Sequence, residues 1–261
     1  MRIEKIVEHF LSDLKGIRNA SSNTINSYRI DLKQFMIFCD EKGIGEIENI
    51  TQRHIRAFIV ELNTKNNSTS TISRKLTSLR NLFNFSLLLG YLQNNPLKLI
   101  KNPKIKRSIP ETLPFDSFQK IITLIENEIG ESKYQVKSIF ELLYGSAIRV
   151  SELCGLDIGD VNYESRTLKV YGKGSKERLV PLGQKSIEAL KEYMLNLNDK
   201  SLKNPLFTSP RGERIYPRYV QRIVKKYIQI VSDVSKKSPH ILRHSAATHM
   251  LDRGADLLGV K

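Results

Sequence analysis

The stretch Ser238-Pro239-His240-Ile241-Leu242-Arg243-His244, close to the end of the sequence, has the features of a helix start. Serine is a common N-cap residue and proline fits the first helical position, so the pattern predicts a helix from Pro239 onward. His240 and Arg243 are three residues apart and therefore share one helical face. A titratable base beside a permanent cation at a helix N-terminus suits an anionic oxygen such as that of phosphate. From this stretch alone, an ordinary surface pair is the alternative.

The composition favours a polyanionic partner. The 261 residues include 42 Lys and Arg against 27 Asp and Glu, a formal net charge of +15. This excess predicts nucleic acid as the first candidate, with a generally lysine-rich proteome as the alternative. Cys39 and Cys154 lie in apolar helical patterns and are expected to be reduced core residues of a cytoplasmic protein, without a disulfide or a metal site. The sequence shows neither a signal-peptide pattern nor an apolar stretch of membrane-spanning length.

Four amphipathic helical patterns fill the first third of the chain. Apolar residues recur at helical spacing in the segments Ile3–Leu14, Ile25–Cys39, Ile55–Leu62 and Ile72–Phe83. Their short connections predict a four-helix bundle. The polar side of the fourth helix mixes small hydroxyls with cations, which suits contact with DNA phosphates but equally a solvated face. Its candidate DNA-binding residues are Arg74, Lys75 and Arg80.

A segment rich in proline and lysine follows the bundle pattern. Positions 94–113 contain three prolines, with a fourth at 114, and the cations Lys98, Lys101, Lys104, Lys106 and Arg107. Proline at this density predicts a semi-rigid extended strap, along which cations can follow a phosphate backbone. Lys104 and Lys106 are therefore candidate DNA contacts. We expect a DNA-binding domain over 1–93, a linker over 94–113 and a second domain over 114–261, which together close around a duplex.

Helical patterns continue in the second domain. Helices are expected over 115–129, 134–146 and 185–197, and a further one from about Pro217. The small residues of Gly145-Ser146-Ala147 allow a backbone turn that places Arg149 between two helices. In the helix from Pro217, Arg218 and Arg222 lie on a basic stripe that is a candidate phosphate-contacting face.

A hairpin is predicted between these helices. Residues 167–171 and 178–181 alternate at the period of a strand, and Gly172-Lys173-Gly174 lies between them. The glycines would let the tip approach a groove closely, and Lys173 would supply a mobile proton donor. A solvent-exposed hairpin lysine is the alternative. The glycine spacing is not that of a nucleotide-binding P-loop.

Three ordered motifs together resemble the tyrosine recombinases, the phage integrase family, and most of all their bacterial Xer type. They are Ala147-Ile148-Arg149-Val150-Ser151-Glu152-Leu153, Gly172-Lys173-Gly174-Ser175-Lys176-Glu177-Arg178-Leu179-Val180-Pro181-Leu182 and the stretch Ser238–His244. Asn23-Thr24-Ile25-Asn26-Ser27-Tyr28-Arg29 resembles the core-binding domain of that family. The resemblance implies a mainly α fold: a SAM-like four-helix bundle, then a mostly helical catalytic domain with a small antiparallel β-sheet, of the DNA breaking-rejoining type.

The resemblance also implies a reaction on a double-stranded DNA recombination site without metal or cofactor. A tyrosine would attack the scissile phosphodiester and form a 3′-phosphotyrosyl link, in a homo- or hetero-tetramer on two DNA sites. Arg149 and Arg243 would bind the non-bridging oxygens, and His240 would accept the proton of the tyrosine or hydrogen-bond the phosphate. Lys173 would protonate the leaving 5′-oxygen, and Glu152 would support the arginine from a buried position.

The sequence departs from the family pattern at its end. The second histidine and the tyrosine that follow the Gly254-Ala255-Asp256-Leu257 segment in the family are not among these 261 residues. We therefore expect this chain to bind DNA without cleaving it, either as a truncated recombinase or as a non-catalytic regulator of recombination sites. A metal-dependent nuclease is disfavoured, because the sequence has no paired carboxylates or histidine cluster at metal-binding spacing.

Overall fold

A computed structural model of the chain describes residues 1–105, 111–172, 176–197, 199–252 and Gly254. The chain divides into two units, Met1–Ser108 and Ile109–Lys261. Each unit has a hydrophobic core of its own. No helix within the described residues combines the length and the apolar character that crossing a lipid bilayer requires.

The first unit contains the four helices that the sequence predicts, α1 (Ile3–Gly16), α2 (Ser22–Glu41), α3 (Gln52–Thr64) and α4 (Thr69–Leu88). Hydroxyl groups cap three of them, because Ser21, Thr51 and Ser68 each accept a hydrogen bond from the backbone N–H three residues later. Their apolar faces meet in a core rich in phenylalanine, with Phe10, Phe35, Phe58 and Phe83 buried.

The segment after α4 differs from the extended strap that its prolines predict. Leu97 and Ile100 are buried in the core of the first unit, and the guanidinium of Arg80 donates to the carbonyl of Ile100 at 3.0 Å. Burial of these two apolar side chains stabilises a turn against the bundle, an effect that proline content alone does not predict. Lys104 is exposed beyond the turn, and Lys106 lies outside the described residues.

Helices form most of the second unit, in agreement with the sequence pattern. They are α5 (Phe115–Glu126), α6 (Ser132–Gly145), α7 (Val150–Gly155), α8 (Gln184–Leu195), α9 (Pro217–Val231) and α10 (Pro239–Asp252). Helix α6 is central, since α5, α7, α8, α9 and α10 all pack against it. Its Ile139, Phe140, Leu142 and Leu143 are fully buried.

A small antiparallel sheet interrupts the helices of the second unit. Its strands are β1 (Val161–Asn162), β2 (Thr167–Tyr171) and β3 (Glu177–Pro181), in the order β1-β2-β3. Tyr171 pairs with Glu177 and Thr167 with Pro181, so the predicted hairpin is confirmed. The two-residue strand β1 was missed because it is too short to show alternation. The hairpin tip with Lys173 lies outside the described residues.

Candidate active site

A tight turn between α6 and α7 places Arg149. After α6 ends at Gly145, Ala147 takes a positive φ of 49°, a conformation that costs a non-glycine residue about 1–2 kcal/mol. Ile148 is buried and anchors the turn in the core. Arg149 follows as the N-cap residue of α7. The turn therefore holds Arg149 at the junction of two helices, as the small residues of this stretch predict.

Helix α10 carries His240 and Arg243. It begins at Pro239, as the sequence predicts, and the N–H of Ile241 donates to the carbonyl of Ser238 at 3.0 Å. His240 is exposed in the first turn, and Arg243 is half-buried one turn later. The other face of this first turn is buried in the core, which fixes the direction in which the two polar side chains extend.

Glu152 lies at the centre of a group of arginines. Only 3% of its side chain is exposed. Its Oε1 accepts from Nη1 of Arg149 at 2.9 Å and from Nη1 of Arg178 at 2.8 Å. Its Oε2 accepts from the backbone N–H of Arg149 at 2.8 Å and from Nη2 of Arg178 at 3.0 Å. All four acceptor positions of the carboxylate are therefore occupied.

These hydrogen bonds keep Glu152 ionised. Burial alone would raise the pKa of Glu152, but the bonds from Arg178 and from the backbone and side chain of Arg149 outweigh burial and lower the pKa to about 2. Glu152 therefore carries a negative charge at neutral pH. The expectation of a buried carboxylate that supports Arg149 agrees with this geometry.

Arg243 belongs to the same group. Burial lowers the pKa of Arg243, and the positive charges of Arg149 and Arg178 lower it further, whereas Glu152 raises it. The buried Nη1 of Arg243 donates no hydrogen bond to any atom of the described residues. Two guanidinium groups thus bond to Glu152, and the third, that of Arg243, interacts with all three groups through its charge. The excess of positive charge suits an anion with several oxygens, such as phosphate.

Arg178 is the member of this group that the sequence interpretation missed. It lies on β3, 26 residues away from Glu152, and 40% of its side chain is exposed. Its position could have been predicted from the alternation of the strand, because Arg178 faces the same side of the sheet as the half-buried Val180. Arg178 also pairs in register with the buried Val170. An arginine on the apolar face of a strand needs a carboxylate partner, and Glu152 is that partner.

The structure thus brings together Arg149 and Arg243 of the four predicted catalytic residues. His240 lies one turn before Arg243 on α10 and is exposed. Lys173 lies outside the described residues, although the base of its hairpin is closed by a hydrogen bond from the N–H of Gly172 to the carbonyl of Lys176 at 2.8 Å.

The basic stripe predicted on α9 is exposed. Arg218 and Arg222 are one helical turn apart on the outer face of this helix. Arg222 donates to the hydroxyl of Tyr216 at 3.2 Å and lies over the ring of Tyr219, 5.9 Å from its centre. Both guanidinium groups therefore remain accessible to a phosphate backbone.

The predictions for α4 need a correction. Lys75 is 5% exposed, and its ammonium donates to the buried carboxylate of Asp31 at 3.2 Å. The expectation that Lys75 offers its charge to DNA is therefore wrong, because this charge is used inside the bundle. Arg74 also pairs with Asp31, but about half of its side chain is exposed. Arg80 is half-buried against residues 100–102.

The chain consists of a helical bundle followed by a mostly helical unit, in which Arg149 and Arg178 hydrogen-bond to Glu152. The model of the phage integrase family matches residues 111–261, and the model of the phage integrase N-terminal SAM-like domain matches residues 7–88. Tyrosine recombinase XerC of Thermodesulfovibrio yellowstonii is 41% identical over 261 residues, 96% of this chain and 84% of that protein. Tyrosine recombinase XerD of Staphylococcus haemolyticus is 34% identical, covering 99% of this chain and 89% of that protein.

Solved structures of recombinases share the fold. The Tn1549 transposon integrase in complex with circular intermediate DNA superposes with a TM-score of 0.76 at 19% identity, covering 100% of this chain and 90% of that chain. A lambda integrase dimer bound to a core site gives a TM-score of 0.74 at 19% identity, with 99% and 93% covered. The chain belongs to the phage integrase family, the tyrosine recombinases that act on DNA.

Proposed function

We propose that this chain binds duplex DNA at a recombination site and holds one backbone phosphate between Arg149 and Arg243. The observation that supports this most directly is the buried Nη1 of Arg243, which has no acceptor among the described residues and lies within electrostatic reach of Arg149. Because Glu152 has no acceptor position left, an external anion is the natural partner for this nitrogen.

The proposed chemistry is strand cutting and rejoining through a 3′-phosphotyrosyl intermediate. When a tyrosine oxygen attacks the phosphate, negative charge develops on the non-bridging oxygens, where the two arginines would stabilise it. His240 is exposed at the start of α10, from which it would accept the proton of the tyrosine or bind a phosphate oxygen. Lys173 would protonate the leaving 5′-oxygen. No cofactor or metal takes part in this scheme.

Further DNA contacts are proposed for cations outside the site. Arg218 and Arg222 on α9 would contact the backbone from the second unit, and Arg74, Arg80, Lys104 and Lys106 from the first, so that the two units act as a clamp. A tetramer on two DNA sites is proposed for the complete reaction. Such a reaction on chromosomal or element DNA fits a cytoplasmic protein whose Cys39 and Cys154 are free and buried.

The 261 residues do not supply the nucleophile in its expected place. The last tyrosine among them is Tyr227, which precedes His240. Tyr227 is buried in the core, and burial raises the pKa of its hydroxyl, with a further contribution from Glu128. We therefore propose that these 261 residues alone bind a recombination site without becoming covalently linked to it.

A suicide substrate tests this proposal. A binding site would first be selected from randomised duplexes with the 261-residue chain, and the selected duplex would then be nicked to trap a cleaved strand. We expect a protein–DNA complex of reduced gel mobility that denaturant dissociates completely. A covalent adduct would contradict the proposed lack of a nucleophile. Failure to enrich any duplex would contradict DNA binding. The same assay on a chain continued through a tyrosine-bearing segment separates a recombinase, which forms the adduct, from a regulator, which does not.

A further inference from the structure

Arg178 shares its carboxylate with Arg149, and this sharing has an electrostatic consequence. If Glu152 had Arg149 as its single partner, the two charges would form a neutral pair, and Arg149 would attract a phosphate weakly. Arg178 donates two hydrogen bonds to Glu152, at 2.8 and 3.0 Å, and so supplies the compensating charge. The positive charge of Arg149 then remains available to an external anion.

The guanidinium of Arg178 is more fully engaged with Glu152 than that of Arg149. Both terminal nitrogens of its guanidinium point at Glu152 in a bidentate pair, an arrangement that is strong and directional. Arg149 uses only Nη1 and its backbone N–H in the corresponding contacts, so its other guanidinium nitrogens are not committed to Glu152. The side chain of Arg149 is also the more exposed of the two, at 55% against 40%.

We propose that Arg178 is a positioning residue of the phosphate site: it neutralises and orients Glu152, so that Glu152 holds Arg149 in place without cancelling its charge toward DNA. This inference rests on the proposed function, because it assumes that Arg149 binds a DNA phosphate. It assigns to β3 a role that does not depend on the hairpin tip. It also explains why a buried carboxylate is compatible with an anion-binding site.

The role of Arg178 is tested by measuring the DNA affinity of variants that disturb and then restore the charge balance. The affinity is measured from the fluorescence anisotropy of a labelled duplex. Arg178→Gln should weaken binding about tenfold, the effect of one charge-assisted contact, because Glu152 then neutralises Arg149. Arg178→Gln combined with Glu152→Gln restores the charge balance and should return the affinity to within about threefold of the original chain. A residue needed only to hold β3 in place would not be rescued by removing Glu152.

Two control variants complete the experiment. Lys191→Gln removes one positive charge from an exposed position on α8 of the same unit and should weaken binding less than Arg178→Gln. Arg178→Lys keeps the charge but loses the bidentate pair, and it should bind DNA more tightly than Arg178→Gln. Folding is checked by circular dichroism. If Arg178→Gln does not fold, the double variant is compared with the original chain, and an affinity about tenfold or more below that of the original chain overturns the role.

The outcomes separate this inference from the proposed function. If the original chain binds DNA and Arg149→Ala weakens binding, but Arg178→Gln behaves like Lys191→Gln, the role of Arg178 is wrong and the function stands. An affinity of the double variant as low as that of Arg178→Gln would also overturn the role. If Arg149→Ala leaves the affinity unchanged, the phosphate site itself is wrong.

Discussion

Glu152 is the residue on which the geometry of the site depends. It accepts four hydrogen bonds from two arginines and is buried at the N-terminal turn of α7. Removing this carboxylate leaves the guanidinium groups of Arg149 and Arg178 without the negative charge that compensates them. Glu152 therefore links the stability of the second unit to the arrangement of its arginines.

The lowered pKa of Glu152 predicts a specific dependence of stability on acid. Because the pKa is lower in the folded chain, at about 2, than its ordinary value of 4.5, the stabilisation is complete above about pH 5 and is lost as the pH falls toward 2. Glu152→Gln should therefore be less stable than the original chain at pH 7, and the difference should shrink between pH 5 and pH 2. Calorimetric unfolding at a series of pH values measures this difference.

The control for this titration is Glu164→Gln, which removes an exposed carboxylate from the turn between β1 and β2. If the difference in stability between Glu152→Gln and the original chain stays constant from about pH 5 to pH 2, protonation of Glu152 does not contribute to acid unfolding.

Residue patterns in the sequence predicted part of the site. The stretch Ser238–His244 indicated an anion site at a helix start, and the small residues before Arg149 indicated the turn. Arg178 was not predicted because its pairing with Glu152 depends on how a strand packs on a distant helix. Lys75 was misassigned although its spacing from Ile72 and Leu79 places it on the buried face of α4, where the buried Asp31 compensates its charge.

At the scale of elements, α10 is held by the beginning of the second unit. The N–H of Leu113 donates to Oγ of Ser245 at 2.7 Å, and Oγ of Ser245 donates to the carbonyl of Ile241 in the same helix. Upstream of the helix, the N–H of Ser235 donates to the carboxylate of Glu111 at 2.6 Å. These contacts join the segment that enters the second unit to the helix that carries His240 and Arg243.

The hydrogen bond of Ser245 predicts a large effect for a small substitution. Ser245→Ala leaves the buried N–H of Leu113 without an acceptor and should lower the free energy of unfolding by about 1–3 kcal/mol. Thr248→Ala is the matched control, because within the described part of the chain the hydroxyl of Thr248 bonds only to the carbonyl of His244 in its own helix. Its effect should be smaller than that of Ser245→Ala in urea unfolding. Equal effects of the two substitutions would show that the contact with Leu113 does not stabilise the helix.

Elements were predicted more completely than their ends and connections. The helices of both units and the hairpin follow from the periodicity of apolar residues, which is a local property. The turn at residues 97–100 was not predicted, because the burial of Leu97 and Ile100 depends on the surface that the bundle offers them. The positive φ of Ala147 also escaped prediction, since alanine carries no signal for a left-handed conformation.

For the whole molecule, the net charge and the family both indicate DNA as the partner. A net charge of +15 supplies non-specific attraction to DNA, and the phage integrase and SAM-like family models account for most of the chain. The proposed phosphate contact at Arg149 and Arg243 would add a specific interaction to this general attraction. A specific contact should release its own counterion when DNA binds, so its loss changes the salt dependence as well as the affinity.

The most direct measurement is therefore the salt dependence of duplex binding for Arg243→Ala. Arg243 suits this measurement because its buried Nη1 has no acceptor among the described residues, so the substitution removes no hydrogen bond of that nitrogen within them. We predict that the slope of log K against log salt becomes less steep by about one, whereas Lys191→Ala changes it less. An Arg243→Ala slope and affinity equal to those of the original chain would contradict a phosphate held between Arg149 and Arg243.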